Sequence, residues 1–178
     1  QDRKTYYVGD DRAAFAFCGL KLQPNQWPSE LLHIRRLVER DLGLRPGILT
    51  GCLMNYYGPG KDFIPWHYDE VRAHGADKIV ASLSLGIGPP RLFRLRRKRQ
   101  KSSKDKETES IEGSEKALCA VRLPPGSVLL MMGDAQEYFE HELPVSSGSI
   151  DAERISLTFR SIVPGFEDAE LEPPIYIP

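Results

Sequence analysis

The chain has 178 residues, of which 40% are apolar and 28% charged. That length has room for one domain with a real core, and the composition is that of a soluble globular protein rather than a disordered or fibrous one. No run of about 18 apolar residues is present to span a bilayer, and a net charge of −1 means that any affinity for nucleic acid must come from a local patch.

In chain order, QDRKTYYVGDD has no apolar signal region and no Met, as in a segment of a longer chain. Short apolar bursts follow (Tyr6, Val8, then Phe15, Phe17, Leu20 and Leu22), the pattern of a hairpin or two short strands. Pro28 and Ser29 open a helix, with Ser29 as the expected N-cap. Leu31, Ile34, Val38 and Leu42 keep helical spacing and Gly43 can end it. From about Ile48 the pattern is that of strands. KIVASLSLG alternates, GSVLLMMGD is a buried run, and RISLTFRSI alternates again. Residues 94–116, RLRRKRQKSSKDKETESIEGSEK, are charged, Ser-rich and aperiodic, and read as a mobile insertion between two strands. From Pro164 the Pro- and Glu-rich tail reads as irregular coil. Many short strands after one helix predict a mainly β fold with a flanking helix (α+β), a sandwich or barrel with helical support. Cys18, Cys52 and Cys119 are odd in number and form no C-x-x-C pair, which fits a reducing, intracellular compartment and not a disulfide framework.

Two spacings carry chemistry. In DFIPWHYDE, His67 and Asp69 are two apart, so on an extended strand they share a face and can reach one ion. Non-haem Fe(II) oxygenases use two His and one carboxylate in this way. His33 falls in the helix and His74 in a polar loop, which leaves His141, after the buried run, as the best third ligand. A lone H-x-D is also common by chance. In RISLTFR, Arg154 and Arg160 are six apart and share a face with Ser156 and Thr158, opposite Ile155, Leu157 and Phe159. Two inward arginines need anions, and a small dicarboxylate supplies two, each suited to a planar fork. The bland alternative is a wet polar face.

Together, NYYGPGKDFIPWHYDE, LPPGSVLLMMGDAQEYFEHELP and ERISLTFRSI resemble the AlkB family of Fe(II)- and 2-oxoglutarate-dependent dioxygenases, whose signature runs N-x-Y, D-x-I-x-x-H-x-D, H, R-x5-R. RKTYYVGDDRAAFAFCGLKLQPNQWP resembles the nucleotide-recognition lid of the animal DNA-repair members. The resemblance implies a single catalytic domain over 1–178. Residues 1–45 would be the N-terminal lid and support helix, and 46–178 a double-stranded β-helix (jelly-roll) core. It implies His67, Asp69 and His141 as iron ligands, Asn55 and Tyr57 as hydrogen-bonding partners of 2-oxoglutarate, and Arg154 and Arg160 as holders of its carboxylates. Phe15 and Phe17 would lie against an extruded base, with Glu70 near its polar edge.

The departures concern the substrate. Only Glu70 follows the metal Asp where repair members carry further acids, and Ser156 stands where the bacterial member has Asn. The implied reaction uses Fe(II), 2-oxoglutarate and O2 to demethylate N-alkylated bases in DNA or RNA, releasing formaldehyde, succinate and CO2. The cluster Arg91, Arg94, Arg96, Arg97, Lys98, Arg99, Lys101 and Lys104 can follow a phosphate backbone, and RRKRQK within it can equally act as a nuclear-localisation signal or a solvated insertion. The expected partner is methylated nucleic acid and no membrane, and the expected state is a monomer acting in the nucleus. A protein or small-molecule hydroxylase of the same superfamily, a non-catalytic nucleic-acid-binding barrel and a zinc hydrolase remain as rivals. The zinc hydrolase leaves the arginine pair without a purpose.

Overall fold

The computed structural model describes residues 4–17, 20–58, 62–69, 74–98, 117–145 and 152–164, without the side chains of 15–17 and 20. Among the described residues the fold is built from two main antiparallel sheets, a two-stranded hairpin, a long helix and the short helix α2 (Ala135–Tyr138). The first sheet has five strands in the order β1 (Thr5–Gly9), β4 (Gly51–Tyr57), β11 (Arg154–Arg160), β6 (Val80–Gly86) and β9 (Val128–Met131). The second has four, in the order β5 (Ile64–His67), β10 (Phe139–Leu143), β7 (Arg91–Arg97) and β8 (Cys119–Leu123). A small hairpin joins β2 (Phe15–Phe17) to β3 (Leu20–Leu22). Neighbours in each sheet are mostly distant in sequence, the mark of jelly-roll crossovers.

The helix α1 (Ser29–Asp41) begins one residue before the expected place. Pro28 takes the N-cap with extended backbone, and Ser29 is the first helical residue, its hydroxyl spent on Glu30. Proline has no N–H to satisfy and a φ already suited to the helix entrance, so the cap moves onto it. The C-terminus is as expected. Gly43 has φ +65 and donates to the Arg40 carbonyl, while Leu44 donates to Glu39, a Schellman closure that a left-handed glycine makes easy.

The main core lies between α1 and the outer face of the five-stranded sheet. Leu31 and Val38 of the helix pack with Cys52, Ala81, Leu157 and Phe159 of the strands. Trp27, just before the helix, stacks on Phe159 with ring centroids 6.4 Å apart. Glu39 is buried in the last turn, where its carboxylate accepts hydrogen bonds from the Gly47 and Leu49 amides, both at 3.0 Å. It ties the loop after the helix to the strand that follows. Glu39→Ala leaves two buried donors unsatisfied and is expected to lower unfolding free energy by about 2–4 kcal/mol in urea titration, with Glu39→Gln, which keeps one acceptor oxygen, losing roughly half as much.

Two stretches depart from the sequence reading. Tyr6 and Val8, read as part of an N-terminal hairpin or pair of short strands, lie in Thr5–Gly9, the edge strand of the five-stranded sheet, paired along β4 with Tyr7 opposite Leu53. Residues 94–97, assigned to the insertion, are the second half of β7. They pair with β10, Arg96 opposite Glu140 and Arg94 opposite Glu142. The charges concealed the strand. Arg96 is ion-paired with Glu140 at 2.9 Å and lies 4.3 Å over the Trp66 ring, and Arg94 is ion-paired with Glu142. Each arginine is matched across the strands by an acid, which makes a polar pair compatible with burial. Residues 99–116 and 165–178 lie outside the described residues.

Candidate active site

The space between the sheets is lined from one side by Asn55, Tyr57, Ser82, Arg154, Ser156, Thr158 and Arg160, and from the other by Ile64, His67, Asp69, Phe93, His141 and Leu143. Strand register explains the assembly. Arg154 pairs with Tyr57 and Ser156 with Asn55 across β11 and β4, and directly paired residues share a face. Across the gap, β10 meets β5 with His141 opposite His67, followed by a bulge before Leu143. The two imidazole rings come within 4.2 Å, tilted by 57°. Asp69 follows two residues beyond His67, and one ligand atom from each of the three lies within 4.8 Å of the others.

Electrostatics suit this cluster to a cation. His67 Nδ1 lies 2.9 Å from the Pro65 carbonyl oxygen. A carbonyl only accepts, so Nδ1 carries the proton and the Nε2 lone pair is left for an ion. Burial, with help from His67 and Arg160, pushes His141 down to about 3 against the pull of Asp69, so its ring is neutral at physiological pH. Burial alone would raise the Asp69 carboxyl, but Arg160 and the surrounding histidines outweigh it and hold the group well below the usual carboxylate range. Asp69 is therefore an anion. Its Oδ2 accepts from Arg160 Nη2 at 3.1 Å and its backbone N–H donates to Gln136 Oε1 at 2.9 Å. Two imidazoles and one carboxylate on a common side are a donor set for iron(II) with positions left open.

The depressed His141 has a stability consequence in the metal-free protein. Between its folded value of about 3 and its ordinary 6.5, the unfolded chain binds a proton that the folded chain refuses. Stability then rises with pH across this window, by up to about 1.4 kcal/mol per pH unit for one group, and falls on acidification. In chelator, the urea midpoint is expected to drop between about pH 7 and pH 5, and His141→Asn to flatten that dependence.

At the far end of the pocket, Arg154 Nη2 donates to Ser84 Oγ at 2.7 Å and the guanidinium lies 5.1 Å from the Tyr57 ring centre. Its Nε and Nη1 are buried with no hydrogen-bond partner among the described residues, and neither has Asn55 Oδ1 one. Unsatisfied donors of a buried arginine, facing the pocket that holds the donor triad, fit a carboxylate ligand. Glycine is required at the other end of the same strand pair. A Cβ on Gly51, opposite Arg160, would sit 2.4 Å from the Tyr7 hydroxyl.

The residues picked from spacing or implied by the family resemblance meet in one place: His67, Asp69 and His141 at one end, and Asn55, Tyr57 and Arg154 at the other, with Arg160 touching Asp69. Arg96 is elsewhere, paired with Glu140 on the opposite face of its strand, and Arg97 is exposed, 5.9 Å from the Phe139 ring. Glu70 and Arg99, and the side chains of Phe15 and Phe17, lie outside the described residues. Sequence reasoning missed Gln136, whose contact with Asp69 spans 67 positions and has no local signal. It placed Arg91 in the basic cluster for phosphate, but Arg91 is buried in β7 and donates to the Asp62 and Pro144 carbonyls, a position the alternation of RLFRLRR could have set on the inner face with Phe93.

Comparison with known proteins agrees with this geometry. The sequence profile of the 2OG-Fe(II) oxygenase superfamily matches residues 20–160. The human DNA oxidative demethylase ALKBH2 is 32% identical over 163 residues, covering 90% of this chain and 57% of that protein. The bovine alpha-ketoglutarate-dependent dioxygenase alkB homolog 3 is 29% identical over 167 residues, covering 92% and 53%. The chain thus spans little more than half the length of these curated relatives. The solved structure of OsALKBH1 superposes with a TM-score of 0.53 at 17% identity, covering 90% of this chain and 78% of that one, a likeness of fold. The chain belongs to the 2OG-Fe(II) oxygenase superfamily, whose members use Fe(II), 2-oxoglutarate and O2, and the curated relatives it resembles are AlkB homologues.

Proposed function

We propose that this protein is an Fe(II)- and 2-oxoglutarate-dependent dioxygenase that oxidatively demethylates N-alkylated nucleobases in DNA or RNA. The observation that carries this reading is one pocket holding His67, Asp69 and His141 at one end and an arginine without a carboxylate partner, Arg154, at the other. The names of its relatives, a DNA oxidative demethylase and a dioxygenase, support the substrate class.

In this reading His67, Asp69 and His141 hold the metal. Asn55, Tyr57 and Arg154 hold the distal carboxylate of 2-oxoglutarate, and Arg160 steadies Asp69 and the proximal end. When bound, iron with 2-oxoglutarate and O2 supplies the oxidation of an N-methyl C–H bond, giving an N-hydroxymethyl group that leaves as formaldehyde, with succinate and CO2 as co-products. The side chains then need only orient and keep charge. Asp69 stays ionised, His141 stays neutral, and the apolar lining of Phe93, Leu129 and Met131 limits water. Phe15, Phe17 and Glu70 are the proposed contacts to the extruded base, Arg97 and Arg99 the proposed contacts to phosphate, and the basic run the basis for action in the nucleus. Arg96 already serves Glu140 and Trp66, so its part in nucleic-acid binding is expected to be small.

The test is mass spectrometry of oligonucleotides carrying N1-methyladenine, N3-methylcytosine or N6-methyladenine, in single-stranded DNA, duplex DNA and single-stranded RNA. Each is incubated with protein, Fe(II), ascorbate and 2-oxoglutarate, beside a His67→Ala variant. Loss of a methyl mass with the parent protein alone is the expected result. Succinate without demethylation of any oligonucleotide would move the substrate to a protein or small molecule.

A further inference from the structure

The distal end of the pocket holds more positive charge than one carboxylate requires. Arg91, on the inner face of β7, is 5% exposed and its guanidinium lies 5.8 Å from the Tyr57 ring centre, against 5.1 Å for Arg154. Arg91 Nη2 donates to the carbonyls of Asp62 at 2.7 Å and Pro144 at 3.2 Å. Arg154 lines both the co-substrate pocket and a neighbouring cleft, and Arg91 lines that cleft with Ser84, Gly86 and Glu153. Neither forms an ion pair with a carboxylate among the described residues. Asp62 acts on Arg91 only from beyond ion-pair range, and Glu153, in the same cleft, is engaged by the Tyr56 hydroxyl at 2.5 Å. Burial makes the charged form of each arginine harder to hold, Tyr57 offsets part of this for both, and Arg91 adds to the strain on Arg154. A buried and a half-buried guanidinium around one tyrosine, with no ion-paired carboxylate among the described residues, suit an anion of more than minimal charge.

We infer that Arg91 is a specificity-determining cation of the co-substrate pocket, selecting a fully ionised dicarboxylate over a monocarboxylate of the same length. This rests on the reading of the pocket as a 2-oxoglutarate site. Arg154 contributes hydrogen bonds to the distal carboxylate, and Arg91 contributes field from behind Tyr57. A 2-oxo acid without the distal carboxylate leaves both cations uncompensated.

Calorimetry with Mn(II) in place of iron reads this without turnover. Ligands are 2-oxoglutarate and 2-oxopentanoate, which has the same chain without the distal carboxylate. Proteins are the parent, Arg154→Gln, Arg91→Gln and Arg91→Lys. For Arg91→Gln the dissociation constant for 2-oxoglutarate is expected to rise roughly tenfold, and for Arg91→Lys less than about threefold, with 2-oxopentanoate unchanged in both. Equal weakening of both ligands would reduce Arg91 to a clamp between Asp62 and Pro144, and no weakening would remove it from the pocket; either overturns the inference. If Arg91→Gln does not fold, Arg91→Met, which keeps an apolar stem and drops the charge, is read in its place, with the same roughly tenfold rise for 2-oxoglutarate expected and the same overturning outcomes. A parent protein that does not prefer 2-oxoglutarate, or an Arg154→Gln variant that keeps the preference, would overturn the co-substrate reading itself. Intact preference lost in Arg154→Gln but kept in Arg91→Gln would sink the inference alone.

Discussion

Replacing Asp69 with alanine is expected to abolish 2-oxoglutarate turnover and to destabilise the fold in the same step. The carboxylate is one of three ligand atoms in the cluster and also the partner of Arg160, with side chains only 11% and 5% exposed. Removing one member of a buried pair leaves the other charged and desolvated, at a cost of about 3–5 kcal/mol. Loss of a metal donor should lower turnover by at least about a hundredfold, more than loss of an outer partner of a ligand does. Asp69→Asn separates the two effects. An amide oxygen still accepts from Arg160, so part of the stability returns, while the anionic donor does not. Succinate formation and urea unfolding on the two variants check this. Full activity in either would remove Asp69 from the metal site.

The second large effect lies on the other face of the neighbouring strand. Phe159→Ala is expected to lower unfolding free energy by about 3–5 kcal/mol. Phe159 is fully buried, stacks on Trp27 and packs with Leu31 and Val38 of the helix. It sits beside Arg160, which faces the pocket, so β11 is a wall with an apolar side to the helix and a polar side to the site. If the two faces are independent, the variant keeps its affinity for 2-oxoglutarate at low temperature while its urea midpoint falls. A loss of affinity larger than the loss of folded protein would show that the packing behind the strand sets the positions of Arg154 and Arg160.

Much of this arrangement can be read from parity. Residues six apart in an extended strand share a face, so Arg154 and Arg160 are grouped by spacing alone, whereas Asp69 lies two residues beyond the end of β5 and reaches His67 through the chain's course after the strand. Gly43 ends the helix because a glycine accepts a left-handed conformation, a local property written at one position. Parity does not say which face is the interior, and in β11 both faces are largely buried. Only packing decided that the apolar face meets α1 and the polar face meets the second sheet. The pairing of His141 with His67 was likewise beyond local reading, because it depends on two strands more than 70 positions apart and on a bulge in their register. Charge misled where tertiary pairing supplied counter-ions. Arg94 and Arg96 look like a solvated run until Glu142 and Glu140 appear across the strand. The amino-acid sequence by itself determined the ligand types, the shared face of Arg154 and Arg160 and the helix stop, since these depend on backbone geometry within a few residues. The tertiary structure alone decided which cations meet an acid and which, like Arg154 and Arg91, are left facing a pocket, since a charge's partner is set by whatever the fold brings within a few ångströms.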